Sequence, residues 1–543
     1  MAAYGSPETE FAMLLPSKRC AARCKEFIER QYPDVDAKTI RHLNFIHDPK
    51  KSGSESDRIL PKVSAVIYHK DMWPAAKAFW QHTGEGIQSR RAEFCQRAFD
   101  EKTLVEESSH SPPQTPRLAK GPRRYQRPMS VDHGVPNGTS DAKHTNGDEA
   151  TVNGEATVDS TQFVEERFGR NLSPEFAAQA KLAIRRRIAG SLTADTDLPQ
   201  SLEEPADTTR ERTRDVPEFS VDDVYLFSTG MNSIFTSHRI LRLARGELKS
   251  IMFGFPYVDT LKVLEKFGAG AVFYGQGDSA ELDQLEKNLE AGERYLALYC
   301  EFPGNPLLKT PDVKRLRALA DKYDFAIVID ETIGNFLNIH VLPYADIVVS
   351  SLTKVFSGDS NVMGGAMILN PRSKWYANLK HVLETEYEDN QFEEDSVYLE
   401  RNSRDFVTRI KRINHNAEAI ADVLRASSKV KQVNYPKYSP TKANYDVCLL
   451  PDGGYGGLLS ATFFSIEDAA IFYDNLDTSK GPSLGTNFTL SSPFVLLAHY
   501  GELDWAASYG CEASLVRFSV GLEKTEKLVS IFQTALDAVP ERK

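Results

Sequence analysis

Apolar and polar positions along the chain follow two periods, and the period changes with region. Near the front, LPSKRCAARCKEFIER carries apolar residues at helical spacing, VSAVIYHK clusters them like a strand, and AAKAFWQHTG returns to a helical pattern. These predict a small folded α/β extension over residues 1–101. From 161 to about 375, short and nearly continuous apolar runs alternate with amphipathic helices. YLALYCEF, FAIVID and DIVVSSL are such runs; NSIFTSHRILRLARG and DVKRLRALADKY are such helices. Buried strands alternating with helices predict a mostly parallel sheet covered on both faces. Over 376–543 the order shifts. One long helical segment, EEDSVYLERNSRDFVTRIKRINHNAEAIADVLR, precedes the strand candidate GGLLSATFF; SIEDAAIFYDNL, VRFSVGL and a final helix, EKTEKLVSIFQTALDAV, follow. This predicts a smaller α+β carboxyl-terminal domain.

Between 102 and 160 neither period holds. ESSHSPPQTPRLAKGPRRYQRPMS and NGTSDAKHTNGDEATVNGEATVD are rich in Pro, Ser, Gly, Asn and Asp. Such a segment buries too little apolar area to offset its ordering entropy, so a disordered linker is expected there.

Composition narrows the class. The chain has 543 residues, 41% hydrophobic and 26% charged, with a net charge of −11. The apolar share supports a large core, and the acidic balance argues against generic nucleic-acid binding, which needs a basic face. No run approaches the length needed to cross a bilayer. The opening MAAYGSPETEF lacks a basic n-region and an apolar h-region, so a cytoplasmic protein without a secretory signal is expected. The six cysteines are scattered, as in reduced thiols. Cys20 and Cys24 stand four apart, but no second pair completes a zinc set, and buried helix thiols are the simpler reading.

The segment DIVVSSLTKVFSGDSNVMGGAMIL carries the strongest chemical signal. An apolar strand ends in small polar residues and presents Lys354, at the strand edge where open α/β sheets bind ligands. A lone lysine there is ordinarily a solvated charge; its company changes the reading. FAIVIDET ends a buried strand on Asp330, alternatively a helix cap or metal ligand. YLFSTGMNSIF places Gly230 and Met231 where a strand meets a helix, so that their amides can receive a phosphate, although an ordinary glycine turn looks the same. Ser351 and Thr353, two apart in an extended segment, can point the same way and donate hydroxyls. Tyr257 in FGFPYVDTLK offers a flat ring, or simply packing. An amine, an acid, phosphate donors and a stacking ring are the four things pyridoxal phosphate asks of a protein.

In this company the chain resembles the Cys/Met-metabolism pyridoxal-phosphate enzymes. DIVVSSLTKVFSGDSN is similar to their lysine signature, STGMNSI to their phosphate turn, EFPGNPLLKTPDV to their Glu-x-Pro-x-Asn-Pro segment, and IDET to the strand end bearing their pyridine-binding aspartate. SLG at 483–485, VRFSVGLE at 516–523 and RNSRDFVTRIKRINHNA at 401–417 resemble the carboxyl-domain signatures and interdomain helix. The resemblance implies a fold-type I transferase with pyridoxal 5'-phosphate as cofactor. It implies that Lys354 carries the cofactor as a Schiff base, that Asp330 pairs with the ring nitrogen, and that Gly230, Met231, Ser351 and Thr353 bind phosphate. It further implies that Tyr257 stacks on the ring, Asn305 lies near the ring hydroxyl, Arg517 clamps the substrate carboxylate and Ser483 orients the lysine. Lys354, Tyr257 and Ser483 are then the catalytic set. ERFGRN resembles the arm that reaches a neighbouring subunit's phosphate through Arg170, which implies a homo-oligomer, a dimer of dimers.

Departures bear on the substrate. Ser350 and Asp359 stand where the family has histidines, Phe168 replaces the arm tyrosine, and SLGTNFTLSSP lacks a usual glutamate. With FWQHTGEGIQSRRAEFC in the front region, these resemble the divergent fungal cystathionine γ-synthases. That resemblance implies small amino-acid substrates, an O-acylhomoserine with cysteine as nucleophile, in methionine biosynthesis. A sulfhydrylase, a cystathionine lyase, a secondary-metabolite γ-substitution enzyme and an inactive regulatory homologue stay open beside it.

Overall fold

The computed structural model describes residues 4–51, 59–107, 174–192, 194–203, 214 and 216–541. Among them no helix is long and apolar enough to cross a membrane.

The amino-terminal unit comprises β1 (Glu10–Leu15), α1 (Lys18–Gln31), β2 (Arg41–His47), β3 (Val63–His69), α2 (Trp73–Thr83), α3 (Ser89–Asp100) and β4 (Leu104–Glu106). Its antiparallel sheet runs β1-β3-β2-β4. Ser17 caps α1, its Oγ accepting the Cys20 amide at 3.2 Å. Cys20, Cys24, Phe27 and Ile28 then form one buried stripe at helical spacing. The first residues of the expected linker are ordered. β4 lies within it and pairs with β2 through Phe45 and Glu106, because Leu104 has a core to enter. Residues 108–160 lie outside the described ones.

The large sheet uses β5 (Val224–Phe227), β6 (Ser250–Phe253), β7 (Ala271–Tyr274), β8 (Ala297–Glu301), β9 (Ala326–Asp330), β10 (Ile347–Ser351) and β11 (Gly365–Leu369), in the order β5-β11-β10-β9-β8-β6-β7. β11 runs antiparallel to both of its neighbours; the other pairs are parallel. The expected mostly parallel sheet is therefore present, with both faces covered. Leu298, Cys300, Ile327, Ile329 and Val348 enter one core, with helices α4 (Pro174–Ile188) and, later in the chain, Val313–Tyr323. Tyr299, Val328, Ile347 and Val349 enter the other, against α5 (Gly230–Arg245) and α6 (Val258–Lys266).

The amino-terminal unit shares that second core. Phe27 stacks on Phe267 at 4.6 Å between centroids, and Phe79 and Phe235 meet the same ring edge-on. The carboxyl-terminal sheet comprises β12 (Val430–Asn434), β13 (Leu458–Phe463), β14 (Ser479–Lys480), β15 (Leu490–Ser492) and β16 (Leu515–Ser519), in the order β12-β13-β16-β15-β14. Before it, the single long helix expected from the sequence is two helices, Glu393–Asn402 and Phe406–Ala426. At the break Ser403 Oγ donates to Glu400 O at 2.9 Å. Arg187 of α4 enters at the break, reaching Glu400 Oε1 at 2.9 Å and Ser403 Oγ at 3.3 Å.

Because Phe267 is common to both units, Phe267→Ala should cost about 3 kcal/mol of stability. Calorimetry should show the amino-terminal unit and the large sheet melting in one transition; two separated transitions in the unaltered protein would contradict a shared core.

Candidate active site

Side chains alternate across a strand, so the last residue of each parallel strand has a predictable face. Cys300, Ile329 and Ser350 turn to one side. Glu301, Asp330 and Ser351 therefore turn to the other, the side covered by α5. Register makes the three neighbours: Glu301 pairs with Asp330, and Asp330 with Val349, two residues before Ser351. Glu331, next in sequence to Asp330, belongs to the opposite side and meets Arg214 in a two-pronged ion pair at 3.0 and 2.7 Å.

The two carboxyl groups on the α5 side are electrically unusual. Burial pushes Asp330 up to about 6, although its Oδ1 accepts the Thr332 amide at 2.8 Å. Burial, and then the charge of Asp330, push Glu301 up to about 8. Glu301 accepts two amides, from Tyr257 and, at 3.1 Å, from Asn305. The sequence reading named its segment without giving it a role. The signal was present, since Glu301 ends an apolar run as Asp330 does.

Above Ser351 stands the N-terminus of α5. Thr229 caps it by accepting the Asn232 amide at 3.0 Å, which leaves the first-turn amides of Gly230 and Met231 directed outward. The approach is close: a Cβ on Gly230 would lie 2.6 Å from Ser351 Cβ. Only glycine permits a helix terminus this near the strand end, and its free amides and dipole favour anions there. Ser351 is fixed from behind, its amide donating to Thr332 Oγ1 at 2.8 Å. Thr353 differs from the expected extended alternation. β10 ends at Ser351, and Thr353 lies in the following turn with its hydroxyl 3.3 Å from Gly364 O and 3.2 Å from Gly364 N.

Lys354 follows in that turn, and its Nζ donates to Ser483 Oγ at 3.2 Å. Burial, and then the nearby Arg517 charge, hold its pKa below the usual lysine range. Arg517, on β16, is 2% exposed, and burial pushes it down to about 10. Its guanidinium donates to Asn305 Oδ1 at 3.1 Å and Ser483 O at 2.9 Å, and lies 4.3 Å from the Phe494 ring centroid. The carboxyl-terminal domain thus supplies Ser483 and Arg517, and the large sheet supplies Lys354 and Asn305. Ser350 faces away, and Asp359 accepts from Asn487 Nδ2 at 2.5 Å. Arg170 and Phe168 lie outside the described residues.

An amine whose pKa burial lowers, a raised buried carboxyl on the neighbouring strand and a helix terminus whose closest approach a Cβ would block fit a phosphorylated pyridine aldehyde. The comparisons agree. Residues 219–537 match the model of the "Cys/Met metabolism PLP-dependent enzyme" family, and residues 1–88 that of the "Fungal trans-sulfuration enzyme, N-terminal domain". A cystathionine gamma-synthase of Neurospora crassa is 49% identical over 541 residues, covering 98% of this chain and 87% of that protein. The cystathionine gamma-synthase-like enzyme iboG2 of Amanita muscaria is 39% identical over 576 residues, covering 98% and 87%. A crystal structure of metB from Corynebacterium glutamicum has a TM-score of 0.51 at 21% identity, covers 66% of this chain and 97% of that one, and shares the fold-type I architecture. With a family model over more than half of its length and a relative aligned nearly end to end, the chain belongs to the Cys/Met metabolism PLP-dependent enzymes.

Proposed function

We propose that this enzyme is a cystathionine γ-synthase, joining an O-acylhomoserine, acetyl or succinyl, with L-cysteine. The observation that carries the proposal is the Lys354–Ser483–Arg517–Asn305 chain of contacts, in a protein 49% identical to a cystathionine gamma-synthase. The atoms balance: the γ-carbon loses its acyloxy group as a carboxylate, the cysteine sulfur bonds to that carbon, and the thiol proton is released.

Pyridoxal phosphate, bound here, supplies an electron sink that acidifies the protons on the substrate's α- and β-carbons. In our reading Gly230, Met231, Ser351 and Thr353 hold its phosphate, Asp330 its ring nitrogen and Asn305 the region of its ring hydroxyl, while the Tyr257 ring lies against its face. Arg517 presents a planar fork to the substrate carboxylate. Lys354 Nζ would carry the cofactor and remove the α-proton; burial and then the Arg517 charge lower its pKa, which favours the neutral form a base needs. Ser483 Oγ keeps that amine aimed. Glu301, held protonated by burial and by its neighbour, keeps a second negative charge away from Asp330. We further propose a homo-oligomer, a dimer of dimers, in which Arg170 of one copy completes the phosphate site of another.

Incubation with O-acetylhomoserine and cysteine should yield a product with the mass of cystathionine. A sulfide-only product or release of an α-keto acid would instead indicate a sulfhydrylase or a lyase. Lys354→Ala should remove the yellow absorbance of the bound cofactor and reduce turnover at least about a thousandfold; retention of either would refute the assignment. Mixing refolded Lys354→Ala and Arg170→Ala proteins should restore activity that neither has alone, if neighbouring copies share sites.

A stability measurement tests the carboxyl pair. The folded-state values of Asp330 and Glu301 lie above their ordinary 3.8 and 4.5. The folded chain therefore holds these protons more tightly. Their stabilisation is complete below those ordinary values and is lost as pH rises through about 6 and then about 8. The melting temperature of cofactor-free protein should fall across that window, and more shallowly in Asp330→Asn. Parallel profiles would count against the pair.

A further inference from the structure

Two of the chain's departures from the family pattern, Asp359 and the segment SLGTNFTLSSP, meet beside the Lys354 turn. Asn487 of that segment donates from Nδ2 to Asp359 Oδ1 at 2.5 Å, and its backbone amide donates to Gly358 O at 2.8 Å. The Gly358 amide donates in turn to Lys354 O at 2.8 Å and closes the turn. On its other side, Asn487 O accepts the Leu522 amide at 2.9 Å. Asn487 therefore stands between the lysine turn and the residues just after β16, the strand that carries Arg517.

Arg409, in the first turn of the helix Phe406–Ala426, joins this contact from below. It is 2% exposed. Its Nη1 donates to Val355 O at 2.8 Å and to Asn487 Oδ1 at 3.2 Å. Its Nη2 donates to Phe356 O at 2.8 Å and to Asn402 O at 2.9 Å, and its Nε to Asp405 Oδ1 at 2.7 Å. Every N–H of the fork thus has an acceptor. Val355 and Phe356 directly follow Lys354. The Asn487 amide is oriented at both ends, its oxygen by a guanidinium and its nitrogen by a carboxylate. Two glycines make room for this. Gly358 has a φ of 75°, and a Cβ there would lie 2.2 Å from Asn487 Oδ1 and 2.6 Å from Arg409 Nη1. A Cβ on Gly485 would lie 2.4 Å from Val355 N and 2.8 Å from Lys354 Cβ. The Ser483–Gly485 backbone and the lysine turn therefore touch directly.

We propose that Arg409 and Asn487 are positioning residues for Lys354. They clasp the lysine turn to the segment that carries Ser483, and so set the approach of Lys354 Nζ to Ser483 Oγ. Asp359 completes the clasp by fixing the Asn487 amide, which makes the two departures one matched pair. Packing alone does not call for this, since an apolar side chain at 409 would fill the same space. A cation out of water costs free energy that only aimed acceptors recover, and a planar fork recovers it in one geometry. That geometry fixes the carbonyls after Lys354 and the side chain of Asn487 in a single plane of donors. The proposal rests on the reading of Lys354 and Ser483 given above.

The test uses the full-length holoenzyme, reading kcat and KM against pH together with melting temperature. Asn487→Ala should lower kcat roughly tenfold through misalignment of the amine, with the KM for O-acetylhomoserine unchanged because Arg517 is untouched. The acid limb of its kcat profile should move to lower pH, since Nζ loses an acceptor that favours its charged form. Arg409→Lys should give a loss of the same kind, because a single ammonium cannot reach all the acceptors of the fork. Asp359→Ala should give a smaller loss and add nothing in an Asn487→Ala background, whereas Asp359→Asn, which keeps an acceptor oxygen, should match the parent. In a Ser483→Ala background Asn487→Ala should likewise add little. Lys411→Ala, on the exposed face of the same helix, should match the parent. If Arg409→Lys fails to fold, Asn487→Ala and Asp359→Ala carry the test. An unchanged kcat and acid limb in Asn487→Ala, or losses that multiply in either double variant, would overturn the proposal. Absence of lysine-bound absorbance in the parent would instead remove the site reading, and the proposal with it.

Discussion

The parallel register of β8, β9 and β10 is the constraint on which the rest of this structure depends. Three strand ends lie side by side, and the two-residue side-chain period turns Glu301, Asp330 and Ser351 to the same face. α5 covers that face and brings its N-terminus down onto Ser351 at Gly230. A shift of one residue in any of these strands would exchange the polar end residues for Cys300, Ile329 or Ser350, and the site would vanish from this side of the sheet.

Around that edge the charges are arranged by desolvation rather than by pairing. Lys354 and Arg517 are two cations near one another in a buried setting, and the neighbourhood lowers both. Glu301 and Asp330 are two carboxyl groups on adjacent strands, and both are raised. Each effect favours the neutral form of one member. The contrast with Glu331 is instructive. One residue from Asp330, it is turned away, met by Arg214 in a bidentate pair, and performs a structural task.

The front unit is integrated with this edge by two kinds of contact. Aromatic packing of Phe27 and Phe79 on Phe267 provides area without direction. The polar contacts of Gln81, Thr83 and Gly84 provide direction, and they end on Asp259 and on the capped N-terminus of α5. The carboxyl-terminal domain approaches from the other side with Ser483 and Arg517, so the site sits where three parts of the chain converge on one sheet edge.

Much of this was legible in the sequence because the information is local. Continuous apolar runs ending in a polar residue marked β8, β9 and β10, and the small residue Gly230 marked a place where helix and strand come close. The two periods separated strands from helices over most of the described chain. Where the reading went astray, a distant partner had intervened. Arg187, more than two hundred residues away, enters at the break of the expected long helix, and the core beneath β4 ordered residues whose composition looked like linker. Glu301 ends an apolar run as Asp330 does, but that it stands beside Asp330 follows only from the strand register. The sequence by itself determined most of the elements and the polar ends of the buried strands, since these follow from side-chain period and backbone preference, and its motifs determined the cofactor through their resemblance to the family. Only the tertiary structure decided which buried groups share a dielectric and a proton, because that depends on distances between segments far apart along the chain.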